Sequence, residues 1–318
     1  MTDYKYPEHK DPQVRPRYLG LPTFMRAPYS EDLSQVDVGL IGVPYDGGVT
    51  NRPGARHGPR EIRNQSSLVR KLNQATGINP WELARVADIG DAWPEKPFEL
   101  EGAHAQIQEV FERVHSAGVV PITAGGDHSI SLPILRVLGS DEPVGLIQFD
   151  AHCDTGDDYL GSRFHHGAPF RRAVEEGVLD PKRTVQIGIR GSLTNPDFWK
   201  FSHDSGMRVV YMEEFYERGP REVIEEAVQI LGDGPTYISF DIDGLDPVYA
   251  PGTGTPEIGG ITTIEAQLML RKLQGLKLVG ADVVEVAPPF DPTGGTALTG
   301  ATLMFEILCV VADSVARS

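Results

Sequence analysis

The stretch LIQFDAHCDT, residues 146–155, begins as a buried strand and ends in chemistry. Leu146, Ile147 and Phe149 suit the interior of a sheet, and Asp150, His152 and Asp154 then follow at every second position. Three ionisable groups at the end of an apolar run are costly to bury without partners. Outward from this stretch the same pattern recurs. VVPITA is followed by GGDHS, YISF by DIDGLDP, and ADVV by EVAPPFD. Between the apolar runs lie segments of helical periodicity, among them 55–72, 103–118, GAPFRRAVEEG, PREVIEEAVQILGDG, TIEAQLMLRKLQG and TALTGATLMFEILCVVADSVAR. Short apolar strands alternating with amphipathic helices imply a parallel sheet covered on both faces. The carboxyl ends of such strands share one edge, where ligands bind. Four clusters distant in sequence can therefore meet in space.

Composition bounds the function. The chain has 318 residues, 40% hydrophobic and 23% charged, the profile of a soluble globular protein. Its net charge of −16 disfavours nucleic acid or an anionic membrane as a partner. The start is polar and proline-rich without an apolar signal core, and no run is expected to cross a membrane. Cys153 and Cys309 cannot form a disulfide framework and fit a reducing, cytoplasmic setting. Residues 1–36, with prolines at 7, 12, 16, 22 and 28, read as an irregular arm, and 37–318 as one domain.

The polar clusters offer His128, Asp150, His152, Asp154, Asp241 and Asp243. Alternation along a strand would put Asp150 with His152, and Asp241 with Asp243, on common faces. A fully extended chain would carry Asp154 about 13 Å from Asp150, so the chain must bend after His152 for Asp154 to rejoin the site. Four clustered aspartates repel one another unless some stay protonated. Two divalent cations balance four carboxylates, and at about 3.5–4 Å apart they need bridging carboxylates. A set of four Asp and two His without thiolate favours Mn²⁺ over structural zinc. Asp127 reads as a cap, and Cys153 as turned away from the metals.

The motifs GGDHS, DAHCD and SFDIDGLDP resemble the signatures of the ureohydrolases, the arginase and agmatinase family. The resemblance continues through GVPYDGGVTNRPGARHGPREIR, HHG, APGTGTPEIGG and DVVEVAPPFD, over about residues 19–312. It implies a three-layer α/β/α arginase-like fold with a mostly parallel eight-stranded sheet, in a homotrimer or homohexamer. It implies two Mn²⁺ per subunit, one held by His128, Asp150, Asp154 and Asp241. The other is held by Asp150, His152, Asp241 and Asp243, with Asp150 and Asp241 bridging. Glu285 corresponds to the family's guanidinium-binding carboxylate, and His166, directly before Gly167, to its proton-carrying histidine. Asp246 is expected to orient the metal-bearing turn, and His57 to be structural.

The expected reaction is hydrolysis of a linear guanidino compound to urea and a primary amine. A guanidinium carbon is a poor electrophile, and a water shared by two metals has its pKa lowered enough to supply hydroxide. Specificity is expected from TGDDYLGSRFHH, residues 155–166. Gly156 stands where arginases place an amino-acid-binding Asn, which argues against arginine. Asp157 and Asp158 suit the ammonium of agmatine, with Tyr159 along its methylenes and putrescine as product. Arg163 or His165 would instead suit the carboxylate of guanidinobutyrate or guanidinopropionate, and 293–309 resembles the guanidino-acid branch. Agmatine is the narrow expectation, on the acidic loop. An inactive regulatory or scaffolding relative would be expected to lack a ligand, His166 or Glu285, and all eight positions are filled. No G-x-G-x-x-G opens a helix, so a nucleotide-binding oxidoreductase is disfavoured.

Overall fold

The computed structural model describes residues 12–13 and 16–318. The rest of the expected arm, 1–11 with 14 and 15, lies outside the described residues. Eight strands form one sheet: β1 (Val38–Val43), β2 (Val86–Asp91), β3 (Val120–Gly125), β4 (Val144–Phe149), β5 (Leu179–Ile189), β6 (Arg208–Tyr211), β7 (Thr236–Asp241) and β8 (Leu278–Val284). Their order is β2-β1-β3-β8-β7-β4-β5-β6, and every pairing is parallel.

The helices are α1 (Gly58–Gln65), α2 (Pro80–Leu83), α3 (Leu100–Ser116), α4 (Ser131–Leu138), α5 (Pro169–Glu175), α6 (Lys200–Ser205), α7 (Met212–Leu231), α8 (Thr263–Arg271) and α9 (Gly295–Arg317). Strand alternation divides the core. Ile147 and Phe149 face the side covered by α1, α7, α8 and α9, whereas Val144 and Leu146 face the side covered by α3, α4 and α5. Each large side chain buried this way contributes about 1.5–3 kcal/mol. The result is the expected three-layer α/β/α arrangement.

Several elements differ from the sequence reading: the short helices α2 and α6 are additional to it, and the helix expected over 55–72 spans only Gly58–Gln65. β2 has no counterpart there. It is an edge strand whose last three residues, Ile89 to Asp91, are partly or fully exposed, so it lacks a continuous apolar run. α7 starts eight residues before Pro220, because the chain continues through a kink at Gly219, whose φ is +79°. α9 is long and apolar enough to cross a membrane by length and composition, contrary to expectation, yet 78% of its apolar window is buried inside the protein. The expected arm is also tied down in part, since Phe24 and Met25 are fully buried in the main core.

The topology positions the site. β3, β8, β7 and β4 are the four central neighbours, and Ala124, Val283, Phe240 and Phe149 lie in register across them. The chain runs outward through β5 and β6 and returns on the other side of β4 as β7 and β8, a switch of direction of the kind that opens a ligand crevice. His128, Asp150, Asp241 and Glu285 all follow that row.

Candidate metal centre and active site

After β3 the chain must pass close to the end of β1. Gly126 allows this, because a Cβ there would lie 1.6 Å from the Tyr45 carbonyl oxygen. Asp127 then caps a short 3-10 turn, accepting from the Ser129 N–H at 2.9 Å, and His128 enters the site. Asp150 and His152 are held together by a turn, not by strand alternation: β4 ends at Phe149, and the His152 N–H donates to Asp150 Oδ1 at 2.7 Å. Asp241 and Asp243 repeat the device, with the Asp243 N–H on Asp241 Oδ1 at 2.8 Å. The bend required for Asp154 is present at Asp154 itself, whose φ is +50°. Left-handed backbone is uncommon outside glycine, most tolerated by Asn and Asp, and points here to a positional demand.

The six groups form two clusters. His128, Asp150, Asp154 and Asp241 converge in one, and Asp150, His152 and Asp243 in the other. His128 Nδ1 is 2.8 Å from Asp154 Oδ2 and 3.2 Å from Oδ2 of both Asp150 and Asp241. His152 Nδ1 lies 3.2 Å from Asp243 Oδ2 and 3.5 Å from Asp150 Oδ1. Asp150 thus turns one oxygen to each cluster, as a bridging ligand must. Asp241 turns Oδ2 to the first cluster, while its Oδ1 accepts from the Asp243 N–H as Asp150 Oδ1 accepts from the His152 N–H.

The donor set fits cations. Ser239 Oγ donates to Asp282 Oδ1 at 2.7 Å, so the 2.7 Å contact with His128 Nε2 places the ring proton on Nε2. Nδ1 then faces three carboxylate oxygens with its lone pair, an arrangement that favours a cation among them, and it is buried without a well-directed hydrogen bond. Burial opposes charge on His128 and His152, but the surrounding aspartates raise both well above the ordinary imidazole range. Burial and neighbouring carboxylates raise Asp241 well above its usual value and push Asp154 up to about 6. For Asp150 burial is outweighed by His128 and His152, which hold it low. Four carboxylates and two imidazoles that cannot settle their protons are what a divalent cation resolves.

Beside the clusters, Glu285 directly follows β8 with φ +62°. Its Oε1 accepts from the His128 N–H and pairs with His166 Nδ1, both at 2.9 Å. Oε2 is buried without a partner, which leaves one carboxylate oxygen open to accept from a ligand. Burial lowers His166, but the charge and hydrogen bond of Glu285 outweigh it and raise the ring to about 9. Cations bound nearby would draw it back down.

A cavity of about 220 Å³ opens beside these residues, lined by His152, Asp154, Asp241 and His166 together with Tyr159, His165, Phe198 and Trp199. Gly156 is obligatory, since a Cβ would stand 2.7 Å from the Gly167 carbonyl oxygen. Asp157 and Asp158 line the cavity, but Asp157 pairs with Arg171 at 2.8 Å and Arg172 at 3.0 Å. Asp158 accepts from the Gly161 N–H at 2.9 Å. Arg163 is exposed, pairs with Glu175 at 2.6 Å, and is not in the lining. Asp246 accepts three backbone N–H groups, from Val248, Gly259 and Gly260, and so orders the turn beyond Asp243. Cys153 packs away from the site among Ile189, Trp199 and Val209.

Several supporting residues escaped the sequence reading. Gln148 donates to Asp150 Oδ2 at 2.7 Å, and Gln186, its register partner on β5, donates to Gln148 Oε1. Their signal was a glutamine inside each of two apolar strands. Arg190 is buried with its N–H groups on the carbonyls of Asp243, Gly244 and Leu245, and Thr255 donates to Asp243 Oδ2. Phe198 and Trp199 lie in a segment with no motif to mark it.

An all-parallel sheet with a buried four-Asp, two-His cluster on its central strand ends defines a hydrolase class. The Arginase family profile matches residues 36–310, and the chain belongs to that family. It is an arginase-family amidinohydrolase of guanidino compounds. It is 56% identical to a guanidinopropionase from Pseudomonas aeruginosa, over 98% of both chains. It is 48% identical to a mitochondrial agmatinase from Gallus gallus, over 93% of this chain and 87% of that one. Among solved structures, proclavaminate amidino hydrolase from Streptomyces clavuligerus superposes with a TM-score of 0.90 at 39% identity, covering 94% of this chain and 99% of that one.

Proposed function

We propose that the chain hydrolyses a short guanidino acid, guanidinopropionate foremost, to urea and the corresponding amino acid, with two Mn²⁺ per subunit. The observation that carries the substrate is the engagement of both loop acids. Asp157 is paired with Arg171, Arg172 and, at 3.9 Å, Arg163, and Asp158 Oδ1 accepts from the turn N–H of Gly161. The ammonium of agmatine therefore finds the loop acids already engaged, whereas His165, which lines the cavity, is placed to meet a carboxylate. The likeness to a guanidinopropionase supports the same reading.

When bound, the metal pair neutralises the aspartates and lowers the pKa of water to supply a nucleophile at neutral pH. Asp150 spans the two clusters and would fix their spacing. Glu285 Oε2 accepts from the guanidinium and holds its carbon over the clusters, a positional gain that enzymes realise as rate. Tyr159 closes along the short methylene chain. His166 carries the proton that the leaving nitrogen needs.

A urea-release panel at saturating Mn²⁺ tests the substrate. Guanidinopropionate should show the highest kcat/KM, at least about tenfold above agmatine, a margin of about 1.4 kcal/mol in transition-state binding. A preference for agmatine or arginine would overturn the reading.

A further inference from the structure

Both ring nitrogens of His166 are already engaged. Nδ1 meets Glu285 Oε1 at 2.9 Å, and Nε2 accepts the main-chain N–H of Thr50 at 3.2 Å, with Thr50 Oγ1 only 2.7 Å away. A backbone N–H can only donate, so in this arrangement Nε2 carries the lone pair and the ring proton sits on Nδ1. The contact is built and not incidental. The His166 N–H donates to the Gly48 carbonyl at 2.9 Å, and the Gly48 N–H donates to Asp127 Oδ2 at 2.7 Å. Further along the same loop, Arg52 holds the Gly254 carbonyl at 3.0 Å, and the Gly54 N–H reaches Asp46 Oδ2 at 2.8 Å. The loop thus grips His166 by backbone and side chain while fastened at both ends.

The histidine has no free nitrogen facing substrate. Of its partners, Glu285 is engaged as an acceptor, by the His128 N–H and in the proposed reaction by the guanidinium, and a main-chain N–H cannot pass a proton on. Thr50 lines the cavity and carries a hydroxyl that both donates and accepts. We propose that Thr50 is a further catalytic residue, the hydroxyl through which the proton of His166 reaches the leaving nitrogen. Nε2 first takes up a proton from cavity water through this same hydroxyl; Oγ1 then accepts the Nε2–H hydrogen bond and turns its own O–H into the cavity. As the C–N bond breaks and its electron pair moves to nitrogen, the Oγ1 proton transfers to that nitrogen. The Nε2 proton moves to Oγ1, so threonine is regenerated and the ring returns to neutral. The step rests on the guanidino hydrolysis proposed above and extends it to a residue outside the metal cluster.

The test compares Thr50→Val, which keeps shape and backbone N–H but removes the hydroxyl, with Thr50→Ser, which restores it. Each is also made in a His166→Asn background, with urea release from guanidinopropionate and Mn²⁺ content measured throughout. Thr50→Val should lower kcat at least about tenfold, within the range of general acid–base effects, with KM and metal content near wild type. Thr50→Ser should recover most of the loss. In the His166→Asn background Thr50→Val should cost little more, because two members of one route are not additive. Near-wild-type kcat in Thr50→Val, failure of serine to rescue, or an undiminished cost in the His166→Asn background would each overturn the proposal. Absence of urea release by the wild type would instead count against the substrate reading.

Discussion

His128 shows how a candidate metal ligand is oriented from behind. Its Nε2 bonds Ser239, and Asp282, fully buried, receives hydroxyls from Ser239, Ser131 and Tyr237. That relay fixes which ring nitrogen faces the carboxylates, and outer partners of this type are worth roughly 10–100-fold in metal affinity. Ser239→Ala should weaken Mn²⁺ binding by about that factor in equilibrium dialysis, leaving His152 and its cluster in place. Unchanged affinity for both ions would show that the relay does not govern metal binding. At this scale the convergence of the six Asp and His residues was legible in sequence, because carboxylates and imidazoles that close several apolar runs are costly to bury unless they share a site. Ser239 and Asp282 were not, since a polar residue within a strand shows its partner only when neighbouring strands are laid side by side. The loop acids were misleading for the same reason. Asp157 looks free until α5 brings Arg171 and Arg172 against it.

Among the elements, α3 carries a titratable group far from the metal ligands in sequence. His104 is buried against Tyr45 and Phe164, touches Ser129 Oγ at 3.0 Å, and leaves Nδ1 without a partner. Burial, with a smaller contribution from Arg136, lowers it to about 3. The unfolded chain takes up this proton near pH 6.5, whereas the folded chain does not until about pH 3. The stability tied to neutral His104 is therefore complete above about pH 6.5 and lost as pH falls towards 3, on the order of a few kcal/mol. In chelated protein, urea unfolding between pH 6.5 and 5 should be less pH-dependent for His104→Gln than for wild type. Parallel curves would contradict the assignment. Elements with unbroken periodicity, such as α3 and β4, were readable from sequence. β2 was not, because an edge strand that buries only half its length writes no pattern.

For the whole molecule, the sequence implied a parallel sheet with chemistry along one edge, but not the order of its strands. That order depends on crossovers whose handedness and reach lie in packing. The order matters, since β3-β8-β7-β4 brings four distant segments to one crevice. The central claim is that this crevice is a two-metal hydrolytic site. Its most direct test is a Mn²⁺ titration of chelated protein, following bound metal and urea release from guanidinopropionate together. The account predicts that activity rises to its maximum as binding approaches two Mn²⁺ per chain, and that Asp150→Ala, which removes the ligand shared by both clusters, abolishes it. Full urea release in excess chelator, or an active Asp150→Ala chain, would contradict it.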